Sequence, residues 1–217
     1  GIPMVSHGTI AETRTCYSVA DDAGQLTEFY EPNPALSIED WNSFRKLIVD
    51  ASRRVKWATV SGSVPPGISA EMYSKFVGQL CDTGCDVALD AHDEFLRACF
   101  PLELRVMKCN VAEAASALEV DPGMKRKSLL EMLRVKSKAR NIVLTEGDAG
   151  AEGLFEDDTT ATAVPSRRGR FGVGSGDAFL GGMVLALVRG QSWVEALVVG
   201  TEAGQANAML PGAGVLG

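Results

Sequence analysis

From Trp57 to Thr145 the chain repeats one pattern: a short apolar run, a loop, then an amphipathic helical stretch. The apolar runs are Trp57–Val60, Asp86–Leu89, Leu104–Met107 and Asn141–Leu144. Between them, apolar residues recur at helical spacing over Ser69–Leu80, Glu94–Phe100, Val111–Leu118 and Arg126–Lys138. Strands that alternate with helices and read as almost wholly apolar belong to a parallel sheet covered on both faces. Ser37 precedes a further helix, with Asp40 three positions on and a stripe of Ile38, Trp41, Phe44, Ile48 and Ala51. Ala149–Phe155 and Thr159–Val164 read as a hairpin across Glu156-Asp157-Asp158. Thr9–Val19 and Gln25–Tyr30, around Asp21-Asp22-Ala23-Gly24, read as a second and more polar hairpin, suited to a flap over a site. Two helices, from Ser175 and from Trp193, close the chain.

In such sheets a ligand binds beyond the carboxyl ends of the strands. Ser61, Asp90, Lys108, Asn110 and Thr145 all fall at those ends. The most informative segment is Gly174-Ser175-Gly176-Asp177, which runs into the apolar stretch Ala178–Val188. A helix start carries unpaired N–H groups and partial positive charge, so it attracts anions. A carboxylate in the same turn is placed to take a proton from a hydroxyl while the amides hold a phosphoryl group. The helix that follows is apolar all round, hence buried.

The other segments each carry two readings. Lys108 can neutralise phosphate charge, and Asn110 and Glu113 can hold waters around Mg²⁺; equally, Asn110 and Glu113 have the spacing of a helix capping box. Ser61-Gly62-Ser63-Val64-Pro65-Pro66-Gly67 is a rigid loop whose hydroxyls suit a sugar or a phosphate, or simply a strand-to-helix connection. Gly147 and Gly150 allow a base or ribose to approach, or serve a tight turn. Asp90 reads as site architecture; nearby His92 reads as an exposed polar residue, since no G-x-S-x-G nucleophile accompanies the pair.

The 217 residues carry a net charge of -7, and Arg167, Arg168 and Arg170 form too short a basic cluster for a nucleic-acid face. No apolar run reaches the ~18–20 residues of a membrane span. Five cysteines, Cys16, Cys81, Cys85, Cys99 and Cys109, lack C-x-x-C spacing and accompany only two histidines. Neither a zinc site nor a disulfide framework is expected from them; reduced thiols and a cytoplasmic location are.

Taken in order, the S-G-S-x-P-P-G loop (61–67), the K-x-N-x-x-E element (108–113) and the G-x-G-D turn (174–177) resemble the PfkB, or ribokinase-like, family of carbohydrate kinases. The nearest likeness is to its phosphosugar branch: 1-phosphofructokinase, tagatose-6-phosphate kinase and the minor 6-phosphofructokinase. The resemblance implies a three-layer α/β/α sandwich, one domain over 1–217 that is partial at its amino terminus, with a small β-lid to which 9–30 contribute. It implies ATP and Mg²⁺ as cofactors and a hexose phosphate as substrate. Asp177 would be the base, and Gly174, Ser175 and Gly176 the anion hole. Asn110 and Glu113 would organise Mg²⁺ through water, and Lys108, Thr145, Gly147, Gly150 and Asn207 would serve phosphate and nucleotide. Ala203 and Gly204 match the late helix beside the adenine pocket. Arg14 falls where this branch binds the substrate's own phosphate, with Ser63 on the matching loop.

Homodimerisation through the lid is a further implication of the resemblance. Cys109, Ser175 and Cys16 stand where the family usually has proline, alanine and asparagine, and Cys16 bears on the sugar contact. The family's amino-terminal glycine-rich substrate segment has no counterpart in this chain. A nucleoside or free-sugar kinase, or a nucleotide-binding fragment without catalysis, are the alternative readings.

Overall fold

The computed structural model describes residues 4–21 and 26–214. A six-stranded sheet is built from β3 (Trp57–Val60), β4 (Asp86–Asp90), β5 (Val106–Asn110), β6 (Asn141–Thr145), β7 (Ala151–Leu154) and β8 (Thr160–Ala163), side by side in that order. β3 to β6 are parallel, and β7 and β8 turn back antiparallel as the predicted hairpin. Each crossover therefore steps one strand in the same direction. Right-handed crossovers then place the connecting helices on one face: α2 (Ala70–Cys81), α3 (Asp93–Ala98), α4 (Val111–Leu118) and α5 (Arg126–Lys136). α1 (Ile38–Ser52) packs beside α2, its Trp41 ring edge-on to Phe76. α6 (Ser175–Val188) and α7 (Trp193–Ala208) cover the other face.

The side-chain alternation of the strands shows both layers. Val87, Leu89, Met107, Cys109, Ile142 and Leu144 pack with Phe76, Leu80, Leu96, Leu129 and Leu133. Their neighbours Ala88, Val106 and Val143 pack with Phe179, Leu180, Met183 and Leu197. Each large side chain buried in this way contributes ~1.5–3 kcal/mol. α6 and α7 lie side by side on this face, α6 against β3 and β4 and α7 against β7 and β8. Contrary to the expectation from its all-round apolar sequence, α6 is therefore not buried on every side: Gly181, Leu185 and Val188 face outward and are exposed. Gly182 and Gly200 bring the two helices together: a Cβ on Gly182 would lie 2.6 Å from the Ala203 Cβ. The expected α/β/α layering is present. Among the described residues no helix is long and apolar enough to cross a membrane.

The polar hairpin is shorter than the sequence reading has it. β1 (Cys16–Ala20) pairs antiparallel with β2 (Leu26–Tyr30), Cys16 opposite Tyr30. Thr9–Thr15 is not strand. The reason lies opposite it. Glu31 N–H donates to the Thr15 carbonyl at 3.2 Å, and the Thr15 N–H turns to the Glu31 carboxylate at 2.6 Å. Beyond Glu31 come Pro32 and Pro34, which have no N–H to extend a ladder. Residues 22–25, which hold most of the expected turn, lie outside the described residues.

Candidate active site

The parallel strands end on one edge of the sheet, and the start of α6 arrives at that edge. Together they line a cleft of about 690 Å³ that includes Ser61, Asp90, Lys108, Asn110, Thr145 and Asp177. Gly174 is the residue before α6 and has φ +77°, a left-handed conformation that glycine adopts without penalty. Asp177 is the third residue of the helix. The Ser175 N–H is taken by the Gly172 carbonyl at 3.1 Å. Among the described residues, the next two amides, of Gly176 and Asp177, have no hydrogen-bond partner. Of the three residues the sequence reading names at this turn, Ser175 therefore has its amide taken within the turn.

Asp177 is held from across the fold: the Ser61 hydroxyl donates to its Oδ1 at 2.6 Å. Beneath the same turn Lys108 Nζ donates to Asp90 at 2.5 Å, both largely buried. A Cβ on Gly176 would lie 3.0 Å from Lys108 Nζ, so a glycine at 176 is what lets the lysine come up under the helix start. Burial pushes the Asp90 carboxyl above its usual range; Lys108 opposes the shift, and Asp177 adds to it.

Asn110 and Glu113 form the reciprocal capping box. Asn110 N–H donates to Glu113 Oε2 at 2.7 Å, and Glu113 N–H donates to Asn110 Oδ1 at 2.9 Å. Both residues also line the cleft, and only one Glu113 carboxylate oxygen is used in the box. The capping role of the pair thus leaves the second Glu113 oxygen outside the box. Burial pushes the Glu113 carboxyl upward, against the opposing pull of the Asn110 N–H. Cys109, the residue before Asn110, is fully buried, and desolvation pushes its thiol far up.

Thr145 ends β6 and, with Gly147 and Gly150, forms the opposite rim. Gly150 has its own structural necessity. Its φ is +85°, and a Cβ there would lie 2.1 Å from the Ala163 carbonyl oxygen. Asn207 does not line the cleft. It is fully buried behind the glycine turn, donating to the Val173 carbonyl at 2.7 Å and to Ser175 Oγ at 3.1 Å, and accepting from Gly214 N–H at 2.7 Å. Its contacts are with the turn, which it ties to α7. Gly204 lines the cleft and lets α7 approach the Ser175 carbonyl; Ala203 packs against Gly182.

Arg14 and Ser63 meet at the mouth, Arg14 Nη2 lying 3.5 Å from Ser63 Oγ, the outer limit of a hydrogen bond. A third residue joins them: Asn33 Nδ2 donates to Ser63 Oγ at 3.0 Å. The sequence reading does not single out Asn33; its signal is its place between Pro32 and Pro34, which fix the backbone around it. His92 lies at the cleft with its side chain 39% exposed, and its Nδ1 lies 2.9 Å from the Asp93 carboxylate, with Asp90 left to Lys108.

Residues 2–215 match the pfkB family of carbohydrate kinases, and the chain belongs to that family. It is 24% identical over 194 residues to ATP-dependent 6-phosphofructokinase isozyme 2 of Escherichia coli, covering 88% of this chain and 62% of that protein. It is 24% identical over 202 residues to tagatose-6-phosphate kinase of Staphylococcus epidermidis, covering 91% of this chain and 65% of the relative. The chain thus spans a little under two thirds of the length of these relatives. Its fold is that of phosphofructokinase-2 from Escherichia coli, solved in complex with potassium: TM-score 0.80 at 22% identity, over 89% of this chain and 63% of that one.

Proposed function

We propose that this chain forms one kinase domain over 1–217 that transfers the terminal phosphoryl group of ATP to a hydroxyl of a hexose phosphate, with 9–30 contributing its lid. The observation that carries this reading is the start of α6: two unpartnered amides beside a carboxylate that a distant serine holds in place. Transfer of a phosphoryl group needs position and charge stabilisation more than covalent catalysis. Asp177 takes the proton of the acceptor hydroxyl as the new P–O bond forms. The amides of Gly176 and Asp177 face the charge on the transferring group, and Lys108 lies just beneath them. Fructose 1-phosphate, fructose 6-phosphate and tagatose 6-phosphate are the substrates this reading puts forward. The names of the relatives above support that class.

Mg²⁺ fits the donor set as a water-held ion. Among the described residues no three His, Cys, Asp or Glu side chains cluster as a direct cage, and Mg²⁺ usually keeps several waters. Asn110 and Glu113 would hold those waters, and the ion would supply charge neutralisation at the phosphates. The capping box makes the two roles of Glu113 separable. A carboxyl that titrates higher in the folded than in the unfolded chain penalises folding fully above its folded pKa and not at all below its unfolded one. At pH 7 that penalty is present, and Glu113→Gln removes it while a glutamine side chain keeps the box. The expected result is an unchanged or higher Tm, with the Mg²⁺ needed for half-maximal rate raised ~10–100-fold. A lower Tm with unchanged Mg²⁺ demand would leave Glu113 as a cap alone.

Arg14, Asn33 and Ser63 form the cradle for the phosphate the sugar already carries. Loss of a charge-assisted hydrogen bond removes ~1.5–3 kcal/mol, or about 10–150-fold in affinity. Arg14→Ala is expected to raise KM for hexose phosphates by that factor in a coupled ATP-consumption assay, leaving free hexoses unaffected. Equal losses for both would favour a free-sugar or nucleoside kinase. The hairpin supports dimerisation through the lid: Tyr17 and Phe29 face each other across β1 and β2, and both are more than half exposed. A two-stranded hairpin of this size is marginal unless something covers it.

A further inference from the structure

The connection from β8 to α6 carries Arg167, Arg168 and Arg170, a cluster that the function above does not use. Arg168 is held at the rim by Asp148, its Nε 2.5 Å from the carboxylate. Arg167 and Arg170 line the cleft, and among the described residues neither has an acidic partner. The loop that presents them is fixed to the end of α7. Arg167 N–H donates to Gln205 Oε1 at 3.0 Å, and the Arg170 and Phe171 N–H groups share the Ala208 carbonyl at 2.8 and 3.0 Å. At Gly169 a Cβ would lie 2.2 Å from the Ala208 Cβ, so the turn lies flush on the helix.

Charge gives these arginines a task. In the cleft wall Asp90 is matched by Lys108, and among the described residues Asp177 and Glu113 have no cationic partner. A polyphosphate entering an acidic protein would meet those two carboxylates, and among the described residues that line the cleft Arg167 and Arg170 are the arginines or lysines without an acidic partner. Guanidinium groups bind phosphate oxygens through two parallel N–H bonds, and their loop lies between the Thr145–Gly150 rim and the start of α6. We infer that Arg167 and Arg170 clamp the phosphate chain of the nucleotide, so that a nucleoside diphosphate is recognised by its phosphates from this loop as well as from the helix start. The inference rests on the nucleotide occupying this cleft.

Equilibrium binding of ADP and of adenosine, in Mg²⁺ buffer with the full chain, tests it without any turnover. Each Arg→Ala change is expected to weaken ADP by ~10-fold or more. The double variant should lose ~100-fold, adenosine should be unchanged, and Arg→Lys variants should recover part of the loss. If the unaltered chain binds ADP and the double variant binds it equally, the clamp is wrong and the nucleotide site stands. If adenosine weakens in parallel with ADP, the loop only shapes the pocket and the clamp is again wrong. If the unaltered chain binds neither ligand, the nucleotide reading falls and the clamp with it.

Discussion

Asp177→Asn lowers kcat by at least ~10²–10⁴, the usual loss when a positioned base is removed. Its Tm should stay close to that of the parent. The substitution keeps the shape of the side chain and keeps an oxygen to accept the Ser61 hydroxyl, now held at 2.6 Å. What it removes is the capacity to take a proton. The lost charge at the helix start costs only ~0.3–1 kcal/mol of stability. Steady-state kinetics beside a thermal melt separate the two effects. A variant that melts normally and turns over within a few-fold of the parent would take Asp177 out of the chemistry.

Lys108→Met is expected to cost ~3–5 kcal/mol of stability, because it strands Asp90 as an unpaired buried charge. For a chain of this size that corresponds to a Tm lowered by roughly 6–20 °C. The sign of its pH dependence follows from Asp90. Burial already raises that carboxyl in the folded protein, and loss of Lys108 raises it further. The folded variant then binds a proton more tightly than the unfolded chain does. Its deficit is fully present above the folded pKa and shrinks as pH falls through it. Melts across the acid range should show the gap to the parent closing. Asp90→Leu combined with Lys108→Met removes both charges and should recover most of the stability, as replaced buried pairs generally do. Turnover should not return, because the cation under Gly176 is gone. Recovery of full kcat in the double variant would reduce the pair to a structural element.

Much of the layering was readable before any coordinates. β3 over Trp57–Val60 and α4 over Val111–Leu118 coincide with the apolar runs, because buried parallel strands and amphipathic helices differ in period. The G-x-G-D turn and the strand ends were legible as one site, since parallel topology alone collects them. Partnerships across the chain were not. Ser61 and Asp177 are 116 residues apart, and nothing local tells that the end of β3 meets the start of α6. Asp90 and Lys108 become neighbours only because β4 lies beside β5. Asn207 could be picked out by likeness, but whether its amide faces the cleft or the turn is a matter of a few ångströms of packing. The shortening of the first hairpin was present in the sequence as Pro32 and Pro34, opposite the segment that was read as strand.

A crystal structure of the chain with a non-hydrolysable ATP analogue, Mg²⁺ and a hexose phosphate is the most direct test. The terminal phosphate should lie within hydrogen-bonding distance of the Gly176 and Asp177 amides, with the acceptor hydroxyl against the Asp177 carboxylate. A terminal phosphate bound away from α6, or an Asp177 that never meets the sugar, would contradict the kinase reading at its centre.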